Sequence, residues 1–416
     1  MITDYGAVDG DRSFLVRPQC ADGDEYLIPS TVCATKDSLR FGFSAEALAD
    51  EGTPYRSLKM LCAYPDKFYG DREPLPTGLN ARDLATLYVG HLIALGRQAA
   101  ERYATRFGAT ASVSITLGVP MAQLDDKRLH PMFVRIARVA FELGNHLDLE
   151  DTVSIADASH ALASARTEVD ARPPPTNPRD WVRSEAEAAL FWAHRSPDIE
   201  HGRYACVDVG AGTTSASWFH ISAMRSGGVL VNDRLSFYGA ACAPPACDAV
   251  GRVIARHVND VNSLADVRGY EDKLRDSLPD QGHAELDRVL SQIARVFAHA
   301  STSAFEKEQS FRRWRRIGRV FLLGGGTKLD AVRSRLLLEK AEWLKSDAVA
   351  DAGLPADLSE EDGSELLDDP SFMLVAYGLA RRLGDVPDVF APGQIEPYTP
   401  KPPVRDRISW EDLYSD

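Results

Sequence analysis

The chain has 416 residues, 44% of them apolar and 26% charged, with a formal net charge of −14. That length suffices for two large domains or lobes, and the composition is that of an ordinary globular protein. The negative charge disfavours a broad nucleic-acid-binding face, no run approaches the ~18 apolar residues that suggest a membrane span, and Met1-Ile2-Thr3-Asp4 has neither the basic region nor the apolar segment of a secretory signal.

In chain order, the first third reads as short strands, a helix over 81–106 and a strand over 112–117 that Pro120 ends. Residues 129–144 carry apolar side chains at helical spacing, and 153–156 reads as another strand. The proline cluster over 172–178 fits neither a helix nor an inner strand, so a surface loop is expected. A helix follows over 184–193, with Ser184 as N-cap and Glu187 at the capping-box position. From Tyr204 the pattern restarts as strand, glycine turn, strand (215–221), a further strand and helices, including a long one over 284–309. A strand from Arg319, a helix over 330–345, an acidic surface insertion over 347–369 and a helix over 372–383 complete the pattern. The expected division is a first lobe 1–203, a second lobe 204–384 and a proline-rich acidic tail 385–416.

The six cysteines (Cys20, Cys33, Cys62, Cys206, Cys242, Cys247) form no C-x-x-C pair and no zinc spacing, so reduced buried thiols in a cytoplasmic protein are expected. The basic run 312–316 reads as a solvated helix end or as a local anion patch. In the tail, 408–414 reads as a disordered or back-packed end or as a partner-docking motif.

Two glycine turns dominate the rest. In Cys206-Val207-Asp208-Val209-Gly210-Ala211-Gly212-Thr213-Thr214 and Val320-Phe321-Leu322-Leu323-Gly324-Gly325-Gly326-Thr327-Lys328, an apolar strand runs into glycines and then hydroxyls. Such turns let backbone N–H groups converge on an anion, so a nucleotide held between them is expected. Neither is a P-loop, and Ser215 occupies the third-glycine position of a dinucleotide fingerprint.

These residues resemble the actin-like ATPase superfamily, most closely the nucleotide-binding domain of the seventy-kilodalton heat-shock chaperones. The segment 207–214 is similar to the family's second phosphate loop, 322–329 to its adenosine motif, and 184–189 to its connecting helix. Likewise 114–120 resembles its V-P-A strand, 29–32 its P-S-V-V, and 376–380 its late A-x-G-A-A helix. The resemblance implies an α/β fold of two duplicated, ribonuclease H-like lobes around a nucleotide cleft. It places Gly210, Ala211, Gly212, Thr213 and Thr214 around the β- and γ-phosphates of ATP or ADP, and Gly324, Gly325, Gly326 and Lys328 at the adenosine. Asp208 would hold Mg2+ through water or polarise the attacking water, Glu185 would sit near the metal waters, Lys59 would be the catalytic lysine, and Thr213 would serve catalysis. For Asp208 the alternative is a turn-closing Asx residue, and for Lys59 a solvated lysine.

The chain departs from the family pattern at the first phosphate loop. Asp4 and Gly6 fit it, but Ala7 and Val8 stand at its hydroxyl positions and Asp9 and Asp11 add negative charge. The glycine-glycine-acid-acid turn reads Tyr238-Gly239-Ala240-Ala241-Cys242, and Ser371 replaces the acid of the late N-P-D motif. No chaperone-type substrate-binding domain is expected in the residues after 384. The expected function is an ATP-binding, nucleotide-dependent switch for a protein partner, with weak ATPase activity and contact through the tail or a surface insertion. A non-catalytic scaffold subunit, a small-molecule kinase and a filament former remain the alternatives, with oligomeric state open.

Overall fold

In the computed structural model the described residues are 2–4, 12–15, 28–47, 51–64, 75–76, 78–146, 152–191, 202–226, 229–258, 267, 271–307, 319–338, 349–351, 358–360 and 373–396. They form a mixed α/β protein with several sheets. Among them no helix is long and apolar enough to cross a membrane.

The centre of the second half is a six-stranded sheet. Strands Gly202–Val209, Thr214–Ser226 and Val229–Ala243 form an antiparallel meander. Strand Arg319–Leu323 lies parallel on the free side of Gly202–Val209, and Val349–Asp351 lies parallel beyond it. Numbered from Gly202–Val209, the order is therefore third, second, first, fourth, fifth. Strand Asp388–Phe390 is added parallel to Val229–Ala243 at the other edge.

Strand side chains alternate between faces, and the sequence Tyr204-Ala205-Cys206-Val207-Asp208-Val209 uses both. Ala205, Val207 and Val209 join Val250, Ile254, Phe297 and Ala300 on helices Cys247–His257 and Asp280–Lys307 in one core. Tyr204 and Cys206 join Phe219, Phe237, Phe321 and Leu323 in a second core on the opposite face. That core is closed by Met121, Ala189, Leu190 and Leu374, from helices Met121–Leu124 and Leu374–Leu379 and the end of Glu185–Ala189. Asp208 shares the parity of Tyr204 and Cys206, so it faces the first half of the chain.

The first half is built differently. Four-residue or shorter strands pair as Thr53–Tyr55, Val32–Ala34, Ser38–Phe41 and Thr152–Ser154 in one sheet, and as Leu117–Val119 with Val182–Ser184 in another. A third sheet joins Ile2–Asp4 and Arg12–Leu15 to Leu358–Glu360. Its helices Leu58–Ala63, Ala81–Arg106, Leu129–His146 and Ile155–Ala171 share one apolar core. Asn80 starts Ala81–Arg106 with a reciprocal cap: Oδ1 accepts from Arg82 N (2.9 Å) and Asp83 N (3.2 Å), and Asp83 Oδ2 accepts from Asn80 N (2.9 Å).

Several expectations need correction. Residues 109–116 carry no strand; pairing begins at Leu117, whose N–H reaches Trp181 O at 2.8 Å, because the partner strand is only Val182–Ser184. The strand expected over 153–156 is Thr152–Ser154, since Ser154 Oγ accepts from Asp157 N (3.0 Å) and starts a helix there. The helix after Ser184 is Glu185–Ala189; Ser184 caps Glu187 N, but the Glu187 carboxylate binds Arg179 (2.5 Å). Inside the acidic stretch 347–369, Val349–Asp351 and Leu358–Glu360 are strands, held by pairing with Val320–Leu322 and Ser13–Leu15. Among the described residues the first-half strands fall in separate small sheets.

Of the residues expected in the tail, 385–396 pack on the fold. Beyond strand Asp388–Phe390, Lys307 Nζ donates to Pro392 O (2.5 Å), and Gly393 N donates to the Asp125 carboxylate (2.9 Å). The segment thus touches both halves. The basic run 312–316 and the motif 408–414 lie outside the described residues.

Candidate functional site

The turn after Gly202–Val209 is held from behind. Gly210 N donates to Thr213 O (3.0 Å), and the Gly210 and Ala211 carbonyls accept from Cys247 N (3.1 Å) and Asp248 N (2.9 Å) at the start of helix Cys247–His257. The hydroxyl of buried Thr214 donates to Pro245 O (2.8 Å). Carbonyls and the Thr214 hydroxyl are therefore committed to the scaffold. No described residue accepts from the N–H groups of Ala211, Gly212 and Thr213, which leaves three consecutive donors of the kind that suits an anion.

The second glycine turn lies beside the first because Leu323 and Asp208 are register partners. Gly324 has φ 75°, and a Cβ there would collide with Asp208 Oδ1 and stand 2.6 Å from Val209 O. Only glycine supplies both that backbone and that clearance. Thr327 closes the turn with Oγ1 on Gly324 O at 2.9 Å, and Gly325 and Lys328 are exposed at its rim.

Three charged groups meet below the turns. Lys59, on helix Leu58–Ala63, forms an ion pair with Glu185, the first residue of helix Glu185–Ala189. Burial works against the Lys59 ammonium, but the Glu185 charge and hydrogen bond, with the Asp208 charge, hold its pKa above the usual lysine value. Asp208 is pushed up to about 7, by burial first and by the Glu185 charge second, with Lys59 opposing. A carboxylate so placed changes protonation near neutrality, as a general base requires.

No protein-family model matches this chain, and no curated protein matches it. The site therefore stands on its own geometry.

The lysine reaches the site through a fixed loop. Arg56 forks onto Glu46 (Nε–Oε1 3.1 Å, NH2–Oε2 2.7 Å), and Thr31 Oγ1 donates to the same carboxylate (2.5 Å). Residues Leu58, Leu61 and Cys62 anchor the helix in the first-half core. Ser57, between the fork and Lys59, abuts Gly212: a Cβ on that glycine would collide with Ser57 Oγ and lie 3.1 Å from its Cβ.

Of the sequence-predicted residues, Lys59, Glu185, Asp208 and the turn Gly210–Thr213 converge, with Gly324 and Gly326 alongside. Thr214 lies behind the turn, its hydroxyl donating to Pro245 O. Asp4 ends a strand of the separate three-stranded sheet, and Gly6 lies outside the described residues.

Sequence reading missed Ser57 and Cys242. Ser215 pairs with Asp208 on one side and Cys242 on the other, so these residues form one row across three strands, on one face. Burial pushes the Cys242 thiol up to about 12, with Glu185 adding and Lys59 opposing, so it stays uncharged. Its place follows from the pairing of Thr214–Ser226 with Val229–Ala243, whose register shifts twice along its length, so sequence spacing gave no signal for it. Elsewhere, a pocket of about 920 Å3 opens beside the four-stranded sheet, lined by residues such as Thr35, Lys36, Glu51, Tyr55 and Ser159. None of the predicted site residues lines it.

Proposed function

We propose that this chain is an actin-like-fold ATP-binding protein that acts as a nucleotide-dependent switch for a protein partner, with slow ATP hydrolysis. The observation that carries the reading is the meeting of Lys59, Glu185 and Asp208 beneath the unpartnered amides of Ala211, Gly212 and Thr213. The third-second-first-fourth-fifth strand order of the second half supports the fold assignment, because it sets the two glycine turns side by side.

In this reading the turn amides hold the phosphates, and the Lys59 ammonium offsets charge on the reacting phosphoryl group. Asp208, titrating near 7, orients the attacking water and takes its proton as the water oxygen bonds to the γ-phosphorus. The bond to the bridging oxygen breaks, ADP leaves with its electron pair, and inorganic phosphate is released. The described residues hold no cluster of three or more metal-ligating side chains. Two facing carboxylates do fit magnesium, which keeps several waters and binds through one or two carboxylates plus substrate phosphates. Asp208 and Glu185 would meet those waters, and the ion would supply positive charge to the phosphate oxygens. Both glycine turns belong to the second half while Lys59 and Glu185 belong to the first, so nucleotide would bias how the halves close. That closure is what a partner would sense.

A non-catalytic scaffold is the second reading, favoured by Ala7 and Val8 where the resemblance calls for hydroxyls. Calorimetry with ATP and ADP plus magnesium, on wild type and Asp208→Ala, separates the two when run beside phosphate release. Binding that Asp208→Ala weakens at least tenfold, with slow turnover, is expected. No binding at millimolar nucleotide would overturn the switch and leave the scaffold.

A further inference from the structure

Ser57 breaks two local rules at once. It is the N-cap of helix Leu58–Ala63, yet its side chain makes no cap hydrogen bond, although serine is among the best capping residues. Its backbone is left-handed (φ 54°, ψ 44°), the one positive φ at a non-glycine position among the described residues. Left-handed serine is disfavoured by Cβ sterics. Local costs of this kind concentrate at sites where geometry serves a ligand.

The geometry accounts for what is gained. Ser57 still starts the helix through its carbonyl, which accepts from Met60 N (2.9 Å) and Leu61 N (3.0 Å). The left-handed backbone carries the hydroxyl away from those amides and against Gly212, at the tip of the donor turn. There the hydroxyl has no described partner and is half-buried. Two residues on, Lys59 faces Glu185 and Asp208. A single short segment thus presents a hydroxyl and an ammonium to the turn from the opposite half of the chain.

We propose that Ser57 Oγ donates a hydrogen bond to the terminal phosphate of a bound nucleoside triphosphate, making Ser57 a phosphate-contacting residue that favours ATP over ADP. This rests on the nucleotide reading above. The terminal phosphate is the one concerned because Ser57 enters beside Lys59 and Asp208, the groups assigned to the reacting end. Without that phosphate the hydroxyl loses its acceptor, while the turn amides keep the inner phosphates.

The test is calorimetry with ATP and ADP, each with magnesium, on wild type, Ser57→Gly and Ser57→Ala. Glycine keeps the left-handed backbone and removes the hydroxyl together with its Cβ, so it stays informative if the alanine variant, which removes the hydroxyl alone, folds poorly. The expected result is a roughly tenfold loss of ATP affinity in Ser57→Gly, with ADP affinity within about twofold of wild type. ATP affinity unchanged or improved in Ser57→Gly would show that Ser57 serves the backbone alone and would overturn the proposal. Equal losses for ATP and ADP would overturn the terminal-phosphate assignment. Wild type that binds neither nucleotide would remove the nucleotide reading itself, a result separate from wild type that binds ATP but is insensitive to Ser57→Gly.

Discussion

The two halves of the molecule solve the same problem in unlike ways. In the second half one continuous sheet carries both glycine turns, which strand register sets side by side, and the first is also held by a helix behind it. In the first half short strands fall in separate sheets, and the residues that reach the site, Ser57, Lys59 and Glu185, come from helix starts and one clamped loop. The rigid side therefore supplies fixed backbone dipoles, and the other side supplies charges on longer side chains. Preorganised donors work because they do not reorganise when charge arrives. The difference teaches that the turn amides are set by the second-half sheet, while the charged side chains beside Asp208 come from the first half.

The comparison breaks first at the second-half core. Trp218 is 2% exposed and lies 5.2 Å from Phe297 and 5.8 Å from Phe305, ring to ring. Trp218→Ala should cost about 3–5 kcal/mol. Denaturant titration should show it, together with loss of nucleotide binding, because the turn depends on the sheet beneath it. Preserved binding in a destabilised Trp218→Ala would mean that the turn is held independently of that core.

The charges give the next effect. The folded pKa of Asp208, about 7, lies above its ordinary value of 3.8, so the folded protein holds a proton that the unfolded chain releases. That contribution is fully present below about pH 4 and is lost as pH rises through about 7. Asp208→Asn should therefore be about 4 kcal/mol more stable than wild type above pH 7, with the two converging near pH 4. Parallel pH–stability curves for the two proteins would show that Asp208 is not held protonated.

The smallest effect sharpens the contact between halves. Lys307→Met removes the donor from Pro392 O (2.5 Å) and Ile395 O (3.3 Å) and should cost about 1 kcal/mol. Hydrogen exchange should quicken at Gly393 and along Asp388–Phe390, with strand Gly202–Val209 unaffected. Equal quickening in both would indicate that the segment is integral to the sheet core.

The parts of this arrangement that were legible in the sequence are those carried by residue type. The turns at Gly210–Thr213 and Gly324–Gly326 follow from glycine after an apolar strand, and the helix Ala81–Arg106 matches its apolar spacing from end to end. Lys59, Glu185 and Asp208 were found through motif likeness and do meet. The remainder depends on partners far along the chain. Composition made 347–369 look like a solvated surface, yet Val349 and Ala350 pair with Val320 and Phe321. Cys242 reaches the site through its pairing with Ser215, past two register shifts, and Ser57 through a backbone conformation its residue type disfavours. Thr214 has the expected chemistry, but its hydroxyl is already spoken for by Pro245.

The contact between Gly393 and Asp125 spans 268 positions. During synthesis at roughly 5–20 residues per second, Asp125 leaves the ribosome on the order of half a minute before the glycine that binds it. Lys59 is made before that interval and Glu185, Asp208 and the donor turn within it, so all of them precede the segment 388–396 that packs against both halves. Until that segment is made, the nascent chain lacks its contacts with Lys307 and Asp125. The order of synthesis thus places the residues of the proposed site before the segment that touches both halves.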